Sequence, residues 1–407
     1  MRAARTWIDG ERLLPVGVLA GLNLVDEFDR IAFATLTPEI RDAFGTSDAV
    51  INSIATLSAL VILFTAAPSG RLADHYSRVR LSLAAAFLWG VCSALTGLVP
   101  TLGLLVVVRI LSGIGRNANE IIHPSLLSDL YPEGLHPRVF FLHRLANPVA
   151  QASGVLAGLL GTWVGWEWTF VVLAVPTIVL AGLLPLVPDP PRRGVQCHRS
   201  DMSLGEAVRR LRGVPSLRRF WATAFFLAAA AVGIFQLISV YFEEQYGFGP
   251  AGRGAVQFMV GLGWVVGIFV GAGAAERVPV ERASILALIC AGGFGVTTIG
   301  SLGMAAAPAV GFALVATVVM ASGNGVWQAP YFTAVGRIAP AGMSGQAYAS
   351  TTLFYALGAL LSVPLFFLGD WAGYRVGFLA VATLSAVAAA LARSVAPLVE
   401  ADLALRA

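Results

Sequence analysis

"GRLADHYSRVR", Gly70 to Arg80, puts six ionisable side chains, counting His75 and Tyr76, into eleven residues. The apolar runs on both sides are each long enough for a helical membrane span, which needs about 20 residues. An ordinary soluble domain carries about 25% charged residues. This chain of 407 residues carries 12%, against 57% hydrophobic. That balance places the chain in lipid, where charge is confined to loops or to paired, buried positions.

Working outward from this loop, the hydropathy pattern predicts twelve spans: 13–37, 48–69, 80–99, 103–127, 139–162, 168–188, 219–242, 252–275, 283–303, 308–330, 345–368 and 374–396. Every basic residue is Arg, and the Arg residues gather in alternate connections. Arg2, Arg5 and Arg12 precede the first span; Arg71, Arg78 and Arg80 follow the second; Arg138 follows the fourth. Arg192, Arg193, Arg199, Arg209, Arg210, Arg212, Arg218 and Arg219 fill the connection after the sixth. Arg277, Arg282, Arg337, Arg393 and Arg406 continue the series, while Arg41, Arg253 and Arg375 fall on the opposite side. Short Arg-rich loops stay cytoplasmic, so both termini are expected in the cytoplasm. The first apolar run reads as a retained span. The expected location is the inner or plasma membrane.

The central connection, with Pro188, Pro190 and Pro191, reads as a basic linker over 189–217 between six-helix halves at 1–188 and 218–407. An internal repeat supports the division. "GRLADHYSRVR" returns as "AGAAERVPVER" (Ala272 to Arg282), so that Glu276 aligns with Asp74 and Arg282 with Arg80. "GWEWTF" (Gly165 to Phe170) returns as "GYRVGF" (Gly373 to Phe378), and "SGIG" in span 4 returns as "SGNG" in span 10. The expected fold is all-α and integral to the membrane, with twelve helices in two repeated halves. Such repeats mark transporters, with the substrate site expected near the midplane.

The pattern G-x-L-A-D-x-x-x-R between spans 2 and 3 resembles the signature loop of the major facilitator superfamily. Five stretches are similar to Spinster-type members of it: the loop itself, "DRIAFATLTPEIRDAFGTSD" (Asp29 to Asp48), "RILSGIG" (Arg109 to Gly115), "PSLLSDLYP" (Pro124 to Pro132) and "NPVAQASGVLAG" (Asn147 to Gly158). The resemblance covers residues 20 to 170; the second half fits the superfamily in general. It implies transport of lysophospholipids or sphingosine phosphates. It also implies that Asp29-Arg30 is the Asp-Arg pair of the first span, with the Asp in proton coupling, and that Arg109 is the Arg of the fourth. Spinster-type chains usually place Glu after G-x-G, where this chain has Arg116; Glu120, one turn on, is the expected substitute. Gly70, Asp74, Arg78, Arg80 and Glu276 are expected to gate, with Asp74 and Arg78 pairing or meeting a helix dipole in one conformation only.

A charge at a helix centre costs about 2.5–3.5 kcal/mol on insertion scales and usually faces the bundle interior. Span 1 contains Asn23, Asp26, Glu27, Asp29 and Arg30; span 4 contains Arg109, Arg116, Asn117, Glu120 and His123; span 5 contains His143, Arg144, Asn147 and Gln151. At about 100° per residue, Arg109, Arg116, Glu120 and His123 share one stripe, and Asn23, Asp26, Glu27 and Arg30 another. Asp29 lies off the second stripe but at the depth of Arg109. An acid and an Arg at one depth can form a pair that protonation breaks. Asp29, Arg109, Glu120 and Asp26 are therefore the proton-coupling candidates, the plainer alternative being a fixed structural ion pair. Arg116 and Glu120, four residues apart, can also neutralise each other. Arg144 could snorkel, and His143 reads as an ordinary interfacial residue.

The substrate-binding candidates are Arg30, Arg116, Asn117, Arg144, Asn147, Gln236, Asn324, Gln328 and Tyr355. The second half holds almost no intramembrane charge. One wall charged and one apolar and aromatic suits an amphipathic substrate with a charged head and an apolar tail; a small organic anion or a drug on the same fold is the alternative. Enzyme chemistry is not expected. Cys92, Cys197 and Cys290 have no paired spacing, no His-rich metal cluster or Ser-His-Asp set is present, and "GIGRNA" (Gly113 to Ala118) mimics a dinucleotide fingerprint inside a span. No cofactor, metal or nucleic acid is expected. The expected partners are the substrate, protons and the bilayer, acting on a monomer.

Overall fold

The computed structural model describes residues 13–131, 139, 142, 143, 146, 147, 149–189, 204–232, 234–279, 282–339 and 344–404. Arg144, residues 190–203 of the linker and Arg138 lie outside the described residues, as do the terminal arginines Arg2, Arg5, Arg12 and Arg406. The helices of the first half are α1 (Leu13–Thr35), α2 (Thr37–Phe44), α3 (Asp48–Leu60), α4 (Ile62–His75), α5 (Arg78–Thr96), α6 (Leu102–Leu130) and α7 (Ser153–Leu183). They are followed by α8 (Leu204–Leu211), α9 (Pro215–Ala231), α10 (Ile234–Tyr246), α11 (Pro250–Glu276), α12 (Ser284–Ala306) and α13 (Val310–Val326). The last four are α14 (Gln328–Ile338), α15 (Ser344–Ala359), α16 (Ser362–Ala372) and α17 (Tyr374–Ala404).

Among the described residues, nine helical stretches are long and apolar enough to cross a membrane. Helices α1 and α6 are not among them, because both carry charged and polar side chains along their length. Those two helices supply most of the candidate site.

The chain forms two compact units. The first gathers most of the N-terminal half together with Phe248–Gln257; the second gathers most of the C-terminal half together with Ser47–Thr56. In the first unit α5 packs on α6 and α7, and α1 packs on α7. Its core holds Leu19, Leu22, Trp89, Leu126 and Tyr131. In the second, α12 packs on α13 and α17, and α9 on α15 and α17, around Phe220, Trp221, Phe294 and Tyr331. Polar bonds hold the incoming segment in each unit. Arg253 pairs with Glu39 and donates to the carbonyls of Thr35 (3.1 Å) and Phe248 (2.7 Å). Tyr374 donates to Asp370 at 2.6 Å and lies 3.1 Å from Asp48, and Asp370 accepts the Ala49 N–H at 2.9 Å.

The sequence repeat has a physical basis in glycine. Lipid gives apolar helices no reason to associate, so small residues that let backbones approach are what make packing close. In "SGIG", a Cβ on Gly113 would strike Ser58 of α3, and one on Gly115 would strike Ala85 and Trp89 of α5. In "SGNG", a Cβ on Gly323 would strike Thr297 of α12, and one on Gly325 would strike Trp264 and Ile268 of α11. Each motif therefore seats one helix against two neighbours. Gly165 (φ 85°) and Gly373 (φ 91°), which lead the "GWEWTF" and "GYRVGF" motifs, both adopt the left-handed backbone that favours glycine. The first of these breaks α7 internally.

Candidate functional site

The charged residues of α1 and α6 converge inside the first unit. Arg109 donates from Nη1 to Asp29 Oδ2 at 2.9 Å, and both side chains are only 2% exposed. Ser93 of α5 donates to the other carboxylate oxygen at 2.6 Å. Phe33, one turn along α1 from Asp29, lies under the guanidinium, with Arg109 Cζ 4.4 Å from the ring centroid. Asp29 thus sits in a fitted socket, where a charged hydrogen bond is about twice as strong as a neutral one.

Arg116 bridges two carboxylates. Its Nε lies 3.4 Å from Asp26 Oδ1 and its Nη1 lies 3.6 Å from Asp29 Oδ2. Its Nη2 reaches Ser58 Oγ at 3.4 Å. The length of the Arg side chain reconciles the angular mismatch seen in the sequence: one guanidinium touches acids on two different faces of α1. Arg116 therefore reaches across to α1 as well as sharing its own helix with Glu120. Glu120 is exposed and lines a recess of ≈280 Å3 with Asp26, Arg116, His123 and His143.

A polar chain runs beside this recess. Asn23 donates from Nδ2 to Asn147 Oδ1 (2.8 Å) and to the His143 carbonyl (2.9 Å). Asn147 in turn donates to Glu27 at 3.3 Å, and Glu27 also accepts from Arg30 at 3.0 Å. Arg30 is half exposed and held by its own helix. Asn117 is buried, with no hydrogen-bond partner at Nδ2.

The second unit has a recess of ≈240 Å3 lined by Ile234, Ile238, Val260, Trp264, Met320 and Asn324, with Ala321. Asn324 accepts from Trp327 Nε1 at 3.1 Å. Gln236 has a buried Oε1 with no hydrogen-bond partner. Gln328 and Tyr355 are half buried, and Tyr355 packs against the aromatic core.

A sequence profile described as Major Facilitator Superfamily matches residues 19–363. The chain belongs to the Major Facilitator Superfamily. It is Spinster-like within it: 27% identical over 179 residues to "Protein spinster" of Drosophila melanogaster, and 27% identical over 194 residues to "Protein spinster homolog 1" of Homo sapiens. A third relative, "Sphingosine-1-phosphate transporter SPNS2" of Danio rerio, is 25% identical over 186 residues. These matches take in 44–46% of this chain and 30–37% of the relatives' own length. The fold of a bacterial homologue of human lysosomal Spinster superposes with a TM-score of 0.79 at 16% identity, over 97% of this chain and 99% of that one. The protein is thus a multi-pass membrane protein of a transporter superfamily, not of an enzyme family.

The signature loop of the superfamily is placed in part. Gly70 and Asp74 lie on α4, near its C-terminal end. Arg78 is buried at the start of α5 and pairs with Asp129 Oδ2 at 2.6 Å, adding bonds to the Ser125 hydroxyl (2.9 Å) and carbonyl (3.1 Å). Arg80 and Glu276 are exposed. Sequence reasoning missed Asp129, although "PSLLSDLYP" contains it. It also missed the meeting of His123 and His143, which no helical period could signal, because the two rings come from different spans.

Proposed function

We propose that this transporter moves an amphipathic, lipid-like molecule of the lysophospholipid or sphingosine-phosphate type by alternating access, coupled to protons. The observation that carries the reading is the division of chemistry between the two recesses. One offers Asp26, Arg116 and Glu120 to a charged headgroup. The other offers Ile234, Ile238, Val260 and Met320 to an acyl chain. The name of the Danio rerio relative adds support for the substrate class.

In this reading Arg116, Asn117 and Asn147 meet the headgroup, with Arg30 at its margin, and Arg144 is a further headgroup candidate on its sequence alone. Gln236, Asn324, Gln328 and Tyr355 border the apolar part. Asp29 and Arg109, with Asp26 and Glu120, couple the proton: the carboxylates exchange guanidinium partners as their protonation changes. Gly70, Asp74, Arg78, Arg80 and Glu276 gate, and the Arg78–Asp129 pair is the contact that must open. The Arg-rich connections face the cytoplasm, with both termini.

The test is uptake into proteoliposomes, comparing lysophospholipids with small organic anions, each with and without a pH gradient. Gradient-stimulated uptake of the lysophospholipids is expected. Uptake confined to small anions would replace this reading with a second one, which Arg116 in the charged recess favours when that recess is taken alone.

A further inference from the structure

Two histidines from different parts of the chain meet at the charged recess of the first unit. His123 of α6 and His143 lie edge to face, with ring centroids 5.5 Å apart and planes at 89°. His123 Nδ1 is 3.3 Å from His143 Nε2. Both residues are only 3% exposed, and both line the recess. The proton coupling described above gives neither of them a part.

The surrounding hydrogen bonds fix where the ring protons lie. Ser82 of α5 donates its single hydroxyl proton to Asn119 Oδ1 at 2.8 Å. Its oxygen is 3.1 Å from His123 Nε2, so that nitrogen must be the donor. A neutral imidazole has one donor and one acceptor. His123 Nδ1 is then the acceptor, and His143 Nε2 donates to it. One added proton, placed on His143 Nδ1, leaves all of these bonds intact. A second would set N–H against N–H across the 3.3 Å contact and break it. The pair can hold one extra proton and no more.

Charge around the pair favours that proton. The charged groups that line the recess with the pair are Asp26 of α1 and Arg116 and Glu120 of α6. Two carboxylates therefore face one guanidinium. On α5, Arg78 is balanced by Asp129. Histidine is the side chain whose ordinary ionisation falls between about pH 5 and 8.

We propose that His123 and His143 form a one-proton binding site of the charged recess, whose loading offsets its excess carboxylate. The proposal rests on the transporter reading above and deepens it, by giving the recess a proton carrier besides the acids. It is tested on the full-length protein in lipid nanodiscs, labelled with 15N-histidine, by following the ring-nitrogen signals across about pH 5 to 8. A single shared step from His123 and His143 is expected. His143→Gln keeps a donor where Nε2 stood but cannot titrate, and His123 should then stay neutral throughout. His123→Asn should likewise abolish the shared step, and it serves if the first variant does not fold. A pair that stays neutral over the whole range overturns the proposal, as does a His123 step unchanged in His143→Gln. Binding of lysophosphatidylethanolamine is measured on the same wild-type sample. A pair that titrates in protein that ignores this probe overturns the substrate reading alone. A pair that never titrates in protein that binds it overturns this inference alone.

Discussion

The first unit surrounds its recess with Asp26, Arg116, Glu120 and two histidines, while the second surrounds its own with Ile234, Ile238, Val260, Trp264 and Met320. Beneath this difference the backbones make the same demands. Gly113 and Gly115 seat α6 against two neighbours, and Gly323 and Gly325 do the same for α13. Gly165 and Gly373 make the same left-handed turn. A repeat can thus hold its crossing points fixed while its lining side chains diverge completely. Close approach of helices is a property of small residues wherever they recur. Recess chemistry depends on a handful of lining side chains.

The largest expected effect strikes at the charged side of the comparison. Removing one partner of a buried ion pair costs about 3–5 kcal/mol. Arg109→Ala should therefore lower the thermal midpoint of the purified protein sharply and abolish transport; a normal melting curve would show that Asp29 had not been stranded. Asp29→Asn keeps the shape and one of the two acceptor oxygens that Arg109 and Ser93 use, but removes the charge. A smaller stability loss of about 1.5–3 kcal/mol is expected, with the protein still folded and its response to a pH gradient gone. Gradient-driven accumulation at the wild-type level in this variant would remove Asp29 from the coupling scheme.

The shared backbone can be broken in both units alike. Gly115→Val and Gly325→Val each force a side chain into a neighbouring helix, and overpacking costs about 1–3 kcal/mol. The two melting curves should fall by similar amounts; a large loss in one and none in the other would mean that the repeat is not structural at these positions. The smallest effect is expected on the apolar side. Asn324→Leu gives up one hydrogen bond, to Trp327, worth about 1 kcal/mol. Lysophospholipid uptake should stay within a few-fold of wild type. Complete loss would make Asn324 a polar anchor and undo the contrast between the recesses.

Much of this was legible in the sequence, because membrane helices leave two strong signals, apolar length and misplaced charge. The Asp29–Arg109 pair follows from equal depth on helices running in opposite directions. The reach of Arg116 to the acids of α1 does not follow, because an Arg side chain is long enough to serve them or Glu120. Helical period alone sets Asp29 off the face of Asp26, and only the reach of one guanidinium joins them. Asp129 was in view within a quoted motif, but its partnership with Arg78 depends on how α5 and α6 pack. The histidine pair was least visible: His123 and His143 are twenty residues apart and carry no spacing that announces contact.

The placement of Ser47–Thr56 and Phe248–Gln257 bears on how the molecule comes into being. Each compact unit counts among its own a ten-residue strut encoded on the far side of the central connection. A polypeptide severed at that connection would yield two fragments, each lacking a piece that only the other carries. Neither unit can be completed during synthesis from its own stretch of message alone. The contacts that Phe248–Gln257 makes within the N-terminal unit become available only once the ribosome has passed well beyond the midpoint.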